Sequence, residues 1–538
     1  MELRIAFSMH VAILFRFVFP LLSFESTITT MKRSAPLLLL PVIALASCST
    51  IAAEYSPYEF GALDDSAFER VEKENYYRAG SYANLIAADK TVAPDFHSIF
   101  NGASSAGVAH YSIKAVGKKS MLVIAVDFED HKGTADLMND IRKAFIGSDA
   151  CNSYRSVASY YEKASYGRFQ LESVIAPSYF RCPYDYATLA SQSSPSRNKA
   201  TLTDIYNKAL AWYQGIEPTK YQALLSTADF GKIPVSFVYT APYSGYAGGT
   251  SNRDSMLWAF TINTPAPISW SSSYMMHTDS GAVDAHTFIH ETGHLLGLKD
   301  YYDTSASSTS YSALSPLGRI DMMDCSLGDE CSYSKMLLDW ARPYVPTGDC
   351  EISIRPFSSH GDFILLAPHW NGTPYDEYIL LEYYVPAGLN GPDAMLRNND
   401  AMRLPRKSGV KAYKVNSRLG VYRSGLREEM LSASTNIGTR RLDVAYDNSS
   451  RNNTLIQLLD KSSGSSALCD YYVASDTVKE VVEGGVTLRL RDSLFQKGDG
   501  FNGISFKDLR FSDGSELPFH WKVKEMTATY ATISIEAI

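Results

Sequence analysis

The apolar positions of this chain change rhythm along its length. Ser120-Met-Leu-Val-Ile-Ala-Val126, ending in Asp127, is a short β-branched run with the length of a buried strand. From Thr134 to Phe145 the spacing becomes helical, with Leu137, Ile141 and Phe145 on one face. Ser156 to Ala164 predicts a second short helix, Tyr166-Gly167 a turn, and Phe169 to Val174 a strand. Leu202 to Gln214 is helical again, while Pro234 to Tyr239 and Met256 to Ile262 read as strands around a glycine-rich loop, Tyr243 to Ser251. A helix follows from about Asp284 to Leu296, with Gly297 as its natural stop. From about Gly348 helical signals nearly vanish. Short strands recur at Asp362–Leu366, Glu377–Tyr384, Val410–Val415, Val486–Arg491 and Thr527–Ile535, separated by Gly, Ser and Asn turns. The expected fold class is α+β: a mixed sheet with packed helices, then a β-rich, sandwich-like C-terminal region.

At 538 residues the chain is too long for one core, which predicts more than one domain. The expected division is 1–48 as a signal region, 49–117 as a linker or propeptide-like segment, 118–347 as the catalytic domain and 348–538 as the β-rich region. Hydrophobic residues make up 45% and charged ones 20%, a globular balance. The net charge of −8, with no basic block, excludes nucleic acid as the expected partner. Composition gives no oligomeric state.

Two apolar runs precede residue 50, Val11–Phe24 and Ala35–Ser47. Neither reaches the roughly 18 apolar residues of a spanning helix. The second follows Lys32-Arg33 and ends in small residues, the pattern of an export signal, so Met31 is the expected true start. Its end, Leu45-Ala46-Ser47-Cys48, resembles a bacterial lipobox, which makes Cys48 a candidate lipid anchor to a membrane. The expected location is the cell surface, with plain secretion as the alternative. Of seven cysteines, removing Cys48 leaves six, an even number for an exported chain. Chain order favours Cys151–Cys182, Cys325–Cys331 and Cys350–Cys469, against the plainer reading of buried thiols.

The chemistry concentrates in Ala285-His-Thr-Phe-Ile-His290-Glu291-Thr-Gly-His294-Leu-Leu-Gly297-Leu-Lys-Asp300. Positions four apart share a helix face, so His290 and His294 can present two imidazoles to one ion. Zinc accepts such nitrogen ligands and keeps an open position for catalysis when three protein groups hold it. Glu291, one residue along, is placed to act as general base toward a water in that position. Gly297 lets the chain turn back, which brings Asp300 into reach as third ligand. The apolar neighbours Phe288, Ile289, Leu295 and Leu296 make a chance match on a surface helix a poor explanation. His286, one turn earlier, reads as a supporting or structural histidine, with ligation as the lesser alternative. Glu330 and Glu351 stand downstream, but neither lies in a convincing helix.

These residues, in order, resemble the immune inhibitor A-like metallopeptidases over roughly residues 118–420. Val126-Asp127-Phe128, Ser159-Tyr-Tyr161-Glu-Lys-Ala-Ser165-Tyr166-Gly167, the histidine segment and Tyr302-Asp303 carry the first part of the resemblance. Asp321-Met322-Met323-Asp324, Tyr333-Ser-Lys335 with Leu338 and Trp340, and Glu377-Tyr378-Ile-Leu-Leu381-Glu382-Tyr383 carry the rest. The resemblance implies a metzincin-type fold, Zn²⁺, and hydrolysis of peptide bonds in proteins or peptides. It makes Met323, in preference to Met322, the apolar floor beneath the metal. Tyr333 becomes a candidate transition-state stabiliser, with packing as the plainer role. It also implies Ca²⁺, for which Asp279, Asp284 and Asp303 are candidate oxygen ligands without EF-hand spacing. Lys299 stands where the family usually has Pro. Met256–Ile262 is the candidate edge for pairing with an extended substrate. The competing reading is a surface-anchored binding lipoprotein on a degenerate peptidase scaffold; the intact His290, Glu291, His294 and Asp300 argue against it.

Overall fold

The structure is a computed structural model and describes residues 62–63, 65–81, 112–192, 198–240, 256–263, 266–276, 282–302, 316–395, 404–423, 426–430, 441–448, 454–461, 472–475, 479–483, 486–502 and 510–538. Two short strands come first, β1 (Val71–Glu72) and β2 (Tyr76–Arg78). The apolar run at 120–126 lengthens into β3 (Gly117–Asp127). In α1 (Ala135–Ile146) the Thr134 side chain accepts from the Leu137 N–H, and in α2 (Val157–Ala164) Ser156 does the same for Ser159. Each cap satisfies a donor that a helix start leaves open. Tyr166 and Gly167, both with positive φ, turn the chain into β4 (Phe169–Ile175) and β5 (Phe180–Arg181). Then come α3 (Tyr186–Ser191), α4 (Lys199–Ile216), α5 (Pro218–Thr227), β6 (Val235–Tyr239), β7 (Phe260–Ile262) and β8 (Ile268–Ser272). The histidine helix is α6 (His286–Leu295), followed by α7 (Met322–Cys325) and α8 (Ser332–Leu337).

The remainder is mostly strand. It holds β9 (Arg342–Pro346), β10 (Cys350–Ile354), α9 (Phe357–His360), β11 (Asp362–Leu366), β12 (Glu377–Tyr384), α10 (Gly391–Met395) and β13 (Gly409–Asn416). It continues with β14 (Leu419–Arg423), β15 (Leu426–Met430), β16 (Arg441–Val444), β17 (Ile456–Leu458), β18 (Tyr472–Ser475), β19 (Lys479–Glu483) and β20 (Val486–Asp492). It ends with β21 (Gly500–Phe501), β22 (Phe519–Met526) and β23 (Ala531–Ala537). The protein is mixed α+β, with several sheets.

The first sheet has the order β4-β3-β6-β8-β7, with β5 also paired to β3. Its pairs are parallel except the antiparallel edge pair of β7 and β8. The second has the order β1-β2-β9-β11-β12-β13-β17, antiparallel apart from β9 with β11. The third is β10-β23-β22-β21, and two three-stranded sheets are β15-β14-β16 and β18-β20-β19.

Alternation along the strands divides the interior into three cores. On β3, Met121, Val123 and Ala125 pack with residues of α1, α2 and α6. Its alternate residues Leu122, Ile124 and Val126 pack with Leu202 and Ile205 of α4 and Leu224 of α5. On β11, Phe363 and Leu365 join the first of these cores, while Ile364 and Leu366 join Trp521, Val523, Ile533 and Ile535 of the third sheet. β12 divides likewise, Tyr378 and Leu380 against Ile379 and Leu381. Strands buried on both faces read as continuous apolar runs, which is why 121–126 and 363–366 stand out in the sequence.

Three expectations need correcting. The strand at Met256–Ile262 shrinks to Phe260–Ile262; Met256 and Leu257 are buried, but their segment is a turn, and the Leu257 carbonyl accepts from the Tyr239 hydroxyl. The strand at Thr527–Ile535 is the turn and second arm of the β22–β23 hairpin. Thr527 Oγ1 accepts from the Thr529 and Tyr530 N–H groups, so the hydroxyl folds the chain back. The order-based cysteine pairs Cys151–Cys182 and Cys325–Cys331 are not formed. Cys151 is exposed beside Ser148, whereas Cys182 is buried in the core under α4, where burial pushes its thiol up to about 11. Cys331 is buried with Sγ 3.8 Å from Ser334 Oγ. Cys48 and Cys469, and so the lipid anchor and the Cys350 pairing, lie outside the described residues, as does the loop Tyr243–Ser251.

The 347/348 boundary falls within the second sheet's span, since β9 precedes it and β11 to β13 follow it. The same sheet takes in β1 and β2 from the segment 49–117.

Candidate metal centre

α6 is buried along most of its length, and its small residue is there for contact. A Cβ on Gly293 would lie 2.6 Å from Met323 Sδ, so the methionine packs directly on the helix backbone. The helix ends where the sequence placed the stop. Gly297 has φ 102°, its N–H reaches the His294 carbonyl at 3.0 Å, and the Leu298 N–H reaches the Gly293 carbonyl at 3.0 Å. This paired closure uses the left-handed conformation that glycine adopts without a Cβ penalty. The chain then returns along the helix, and the Tyr301 N–H bonds the Met323 carbonyl at 2.9 Å.

That return brings Asp300 to both imidazoles. Its Oδ1 lies 3.1 Å from His290 Nε2 and 3.3 Å from His294 Nε2. One ligand atom from each of the three residues falls within 4.8 Å of the others, the one such grouping of three among the described residues. The opposite ring nitrogens are already used. His290 Nδ1 donates to the Met322 carbonyl at 2.7 Å, and His294 Nδ1 donates to the Leu298 carbonyl at 2.8 Å. With their protons on Nδ1, both rings turn lone pairs toward the shared carboxylate. Two lone pairs and an anion converge only if a cation lies between them, either an added proton or a metal ion. The donor set of two imidazole nitrogens and one carboxylate oxygen fits zinc. Without a metal, burial weighs against charge on His294, but Asp300 and Glu291 lift it to about 9. Burial likewise opposes charge on Asp300, yet His294 and His290 hold its carboxyl well below the ordinary range.

Glu291 is 5% exposed, between the two histidines in sequence. Burial raises its pKa, offset by the two histidines and by a hydrogen bond from Thr261. Thr261 Oγ1 is 2.7 Å from Glu291 Oε2 and 2.9 Å from the Glu291 carbonyl. Thr261 sits on the edge strand β7, and Asn263, which directly follows the strand, donates to the His294 carbonyl at 3.0 Å.

The other candidates fall into place around this group. Met323 packs under α6 and Met322 offers its carbonyl to His290, so the two methionines divide the support between side chain and backbone. Tyr333 is buried and faces Tyr301. No described contact joins it to His290, His294 or Asp300. Tyr302, stacked against His290 at 6.4 Å, is the tyrosine beside the ligands. His286 is closed off instead: Nδ1 lies 2.5 Å from Asp284 and Nε2 3.0 Å from Asp393, and Tyr154 stacks on its ring. Asp284 Oδ1 is thereby engaged by His286. Asp279 and Asp303 lie outside the described residues. Glu330 is buried with both oxygens unbonded, and burial and Asp321 raise its pKa. Glu351 is exposed and pairs with Lys524.

Sequence reasoning missed Thr261, Asn263 and the carbonyls of Met322 and Leu298. Only the last had a signal, since a glycine closing a helix fixes where the next carbonyls point. No family model and no curated protein matches this chain.

Proposed function

We propose that this chain is a zinc-dependent endopeptidase of the immune inhibitor A-like, metzincin type. The observation that carries the reading is the convergence of His290 Nε2, His294 Nε2 and Asp300 Oδ1, with Glu291 beside them. These three residues would hold the metal. A bound zinc ion supplies Lewis acidity toward a peptide carbonyl and makes water more acidic. Glu291 takes a proton from the attacking water and returns it to the leaving amine. The antiparallel edge strand β7, lying over α6, supports pairing with an extended peptide. Met323 beneath Gly293 supports the metzincin comparison. The core shared by β11, β12, β22 and β23 supports reading the C-terminal region as a sandwich.

Export and anchoring through Cys48 belong to the same proposal and rest on the lipobox-like sequence. No helix among the described residues is long and apolar enough to cross a membrane. The test is Glu291→Ala, assayed on a mixed peptide library with and without chelator. Zinc content should be unchanged and turnover should fall by about 10²–10⁴. Turnover at the wild-type rate would end the assignment.

A further inference from the structure

The carboxylate of Glu291 is almost fully buried, and such a group needs a hydrogen-bond donor to hold its orientation. Among the described residues the side-chain donor is Thr261, whose one hydroxyl proton is shared between Oε2 at 2.7 Å, the shorter contact, and the Glu291 carbonyl at 2.9 Å. The contact is not an isolated one. Thr261 lies on β7 and Asn263 directly follows the strand. Both reach α6, Thr261 to Glu291 and Asn263 to the His294 carbonyl. Ser112 extends the tie: its hydroxyl bonds Asn263 Oδ1 at 2.7 Å, and its N–H bonds the Leu295 carbonyl at 2.8 Å. The edge strand is thus fastened by side chains to the helix that carries the base and both histidines.

We infer that Thr261 is a positioning residue for Glu291, pinning Oε2 so that Oε1 is the oxygen left to exchange a proton with the reacting groups. This rests on the role of Glu291 given above. The chemistry is specific to a hydroxyl at this position. Serine keeps the donor, whereas valine keeps the shape of threonine and removes the hydrogen bond. A base free to rotate spends less time aligned with the proton it must take, which lowers turnover more than substrate binding.

The experiment compares wild type, Thr261→Val, Thr261→Ser and Glu291→Ala, each loaded with zinc and checked for metal content. Peptide hydrolysis is measured as kcat and KM. Binding of acetohydroxamate, a zinc-chelating probe that needs an oriented carboxylate to accept its proton, is measured by calorimetry. Thr261→Val should keep its zinc, lose about tenfold in kcat, the effect of one hydrogen bond at the reacting geometry, and shift KM little. Its acetohydroxamate affinity should fall severalfold, and Thr261→Ser should restore both. Thr261→Ala replaces the valine variant if that fails to fold. A valine variant matching wild type in kcat and probe affinity, while Glu291→Ala is inactive, overturns the role of Thr261 and leaves the peptidase reading standing. Equal damage in the serine and valine variants also overturns it. Full activity in Glu291→Ala overturns both.

Discussion

His286 and His290 lie one turn apart on the same buried helix, and each meets a carboxylate, yet they are built for opposite purposes. His286 spends both ring nitrogens on carboxylates from two different elements, Asp284 and Asp393. Its charge is satisfied on both sides, and no lone pair is left to give. His290 spends only Nδ1, on a neutral carbonyl, and aims Nε2 at a carboxylate that His294 also faces. The first arrangement is a closed ion pair and the second is a convergent donor set. A metal-binding histidine is recognised by what its second nitrogen does, and mere proximity to an acid does not distinguish the two.

The comparison can be broken from either end. The largest effect belongs to Asp300. Asp300→Ala should lose zinc sharply on dialysis against a weak chelator and lose activity with it, while Asp300→His keeps part of both. If Asp300→Ala retains its zinc, the convergent set is wrong. His286→Ala should act on the fold instead, because it leaves Asp284 and Asp393 buried without their cation. A loss of about 3–5 kcal/mol in denaturant unfolding is expected, with zinc stoichiometry intact in the folded fraction. Zinc loss at unchanged stability would reverse the roles assigned to the two histidines.

Gly293→Ala tests the packing of Met323 against the same helix. Its Cβ would meet Met323 Sδ, so about 1–3 kcal/mol of stability should be lost, and Met323→Ala in the same chain should recover part of it. Additive losses in the double variant would show that the two residues do not press on each other. The smallest effect is in pH. Burial opposes charge on His286, but Asp393 and Asp284 raise its pKa well above the ordinary value. The unfolded chain releases this proton near about pH 6.5 while the folded one keeps it. Stability from this pair is therefore complete below that pH and declines as pH rises toward the folded pKa. The zinc-loaded protein should show that decline and His286→Gln should flatten it; an identical slope in both would remove His286 as its source.

Much of the site was legible because its parts are local. His290, Glu291 and His294 are fixed by helix periodicity, and Gly297 fixes the return that delivers Asp300. The strands 120–126 and 362–366 were legible because burial on both faces leaves an apolar run, and 377–384 because Glu382, paired with Lys411, is its one interior polar break. What escaped was set by contacts between distant segments. Ile268–Ser272 carries three buried serines, so neither an apolar run nor clean alternation marks it as a central strand. Thr261 looks like any strand threonine until the first sheet places it against Glu291. Tyr333 and Tyr302 carry the same hydroxyl, and only the packing tells that one faces Tyr301 while the other lies on His290.

The pairing of β2 with β9 sets a condition on how the molecule is assembled. Arg78 stands opposite Tyr344 and Tyr76 opposite Pro346, so strands from near the start and from beyond the middle of the chain meet side by side. Contacts this remote in sequence close late and slowly during folding. Until residues 342–346 leave the ribosome, β2 has no neighbour on that side, and Phe68 lacks the Arg342 guanidinium that covers its ring. A polypeptide truncated at residue 118 would instead leave β9 as a bare sheet edge, open to pairing with another molecule. Soluble expression should therefore depend on the residues that precede the histidine helix by some two hundred positions as much as on the helix itself.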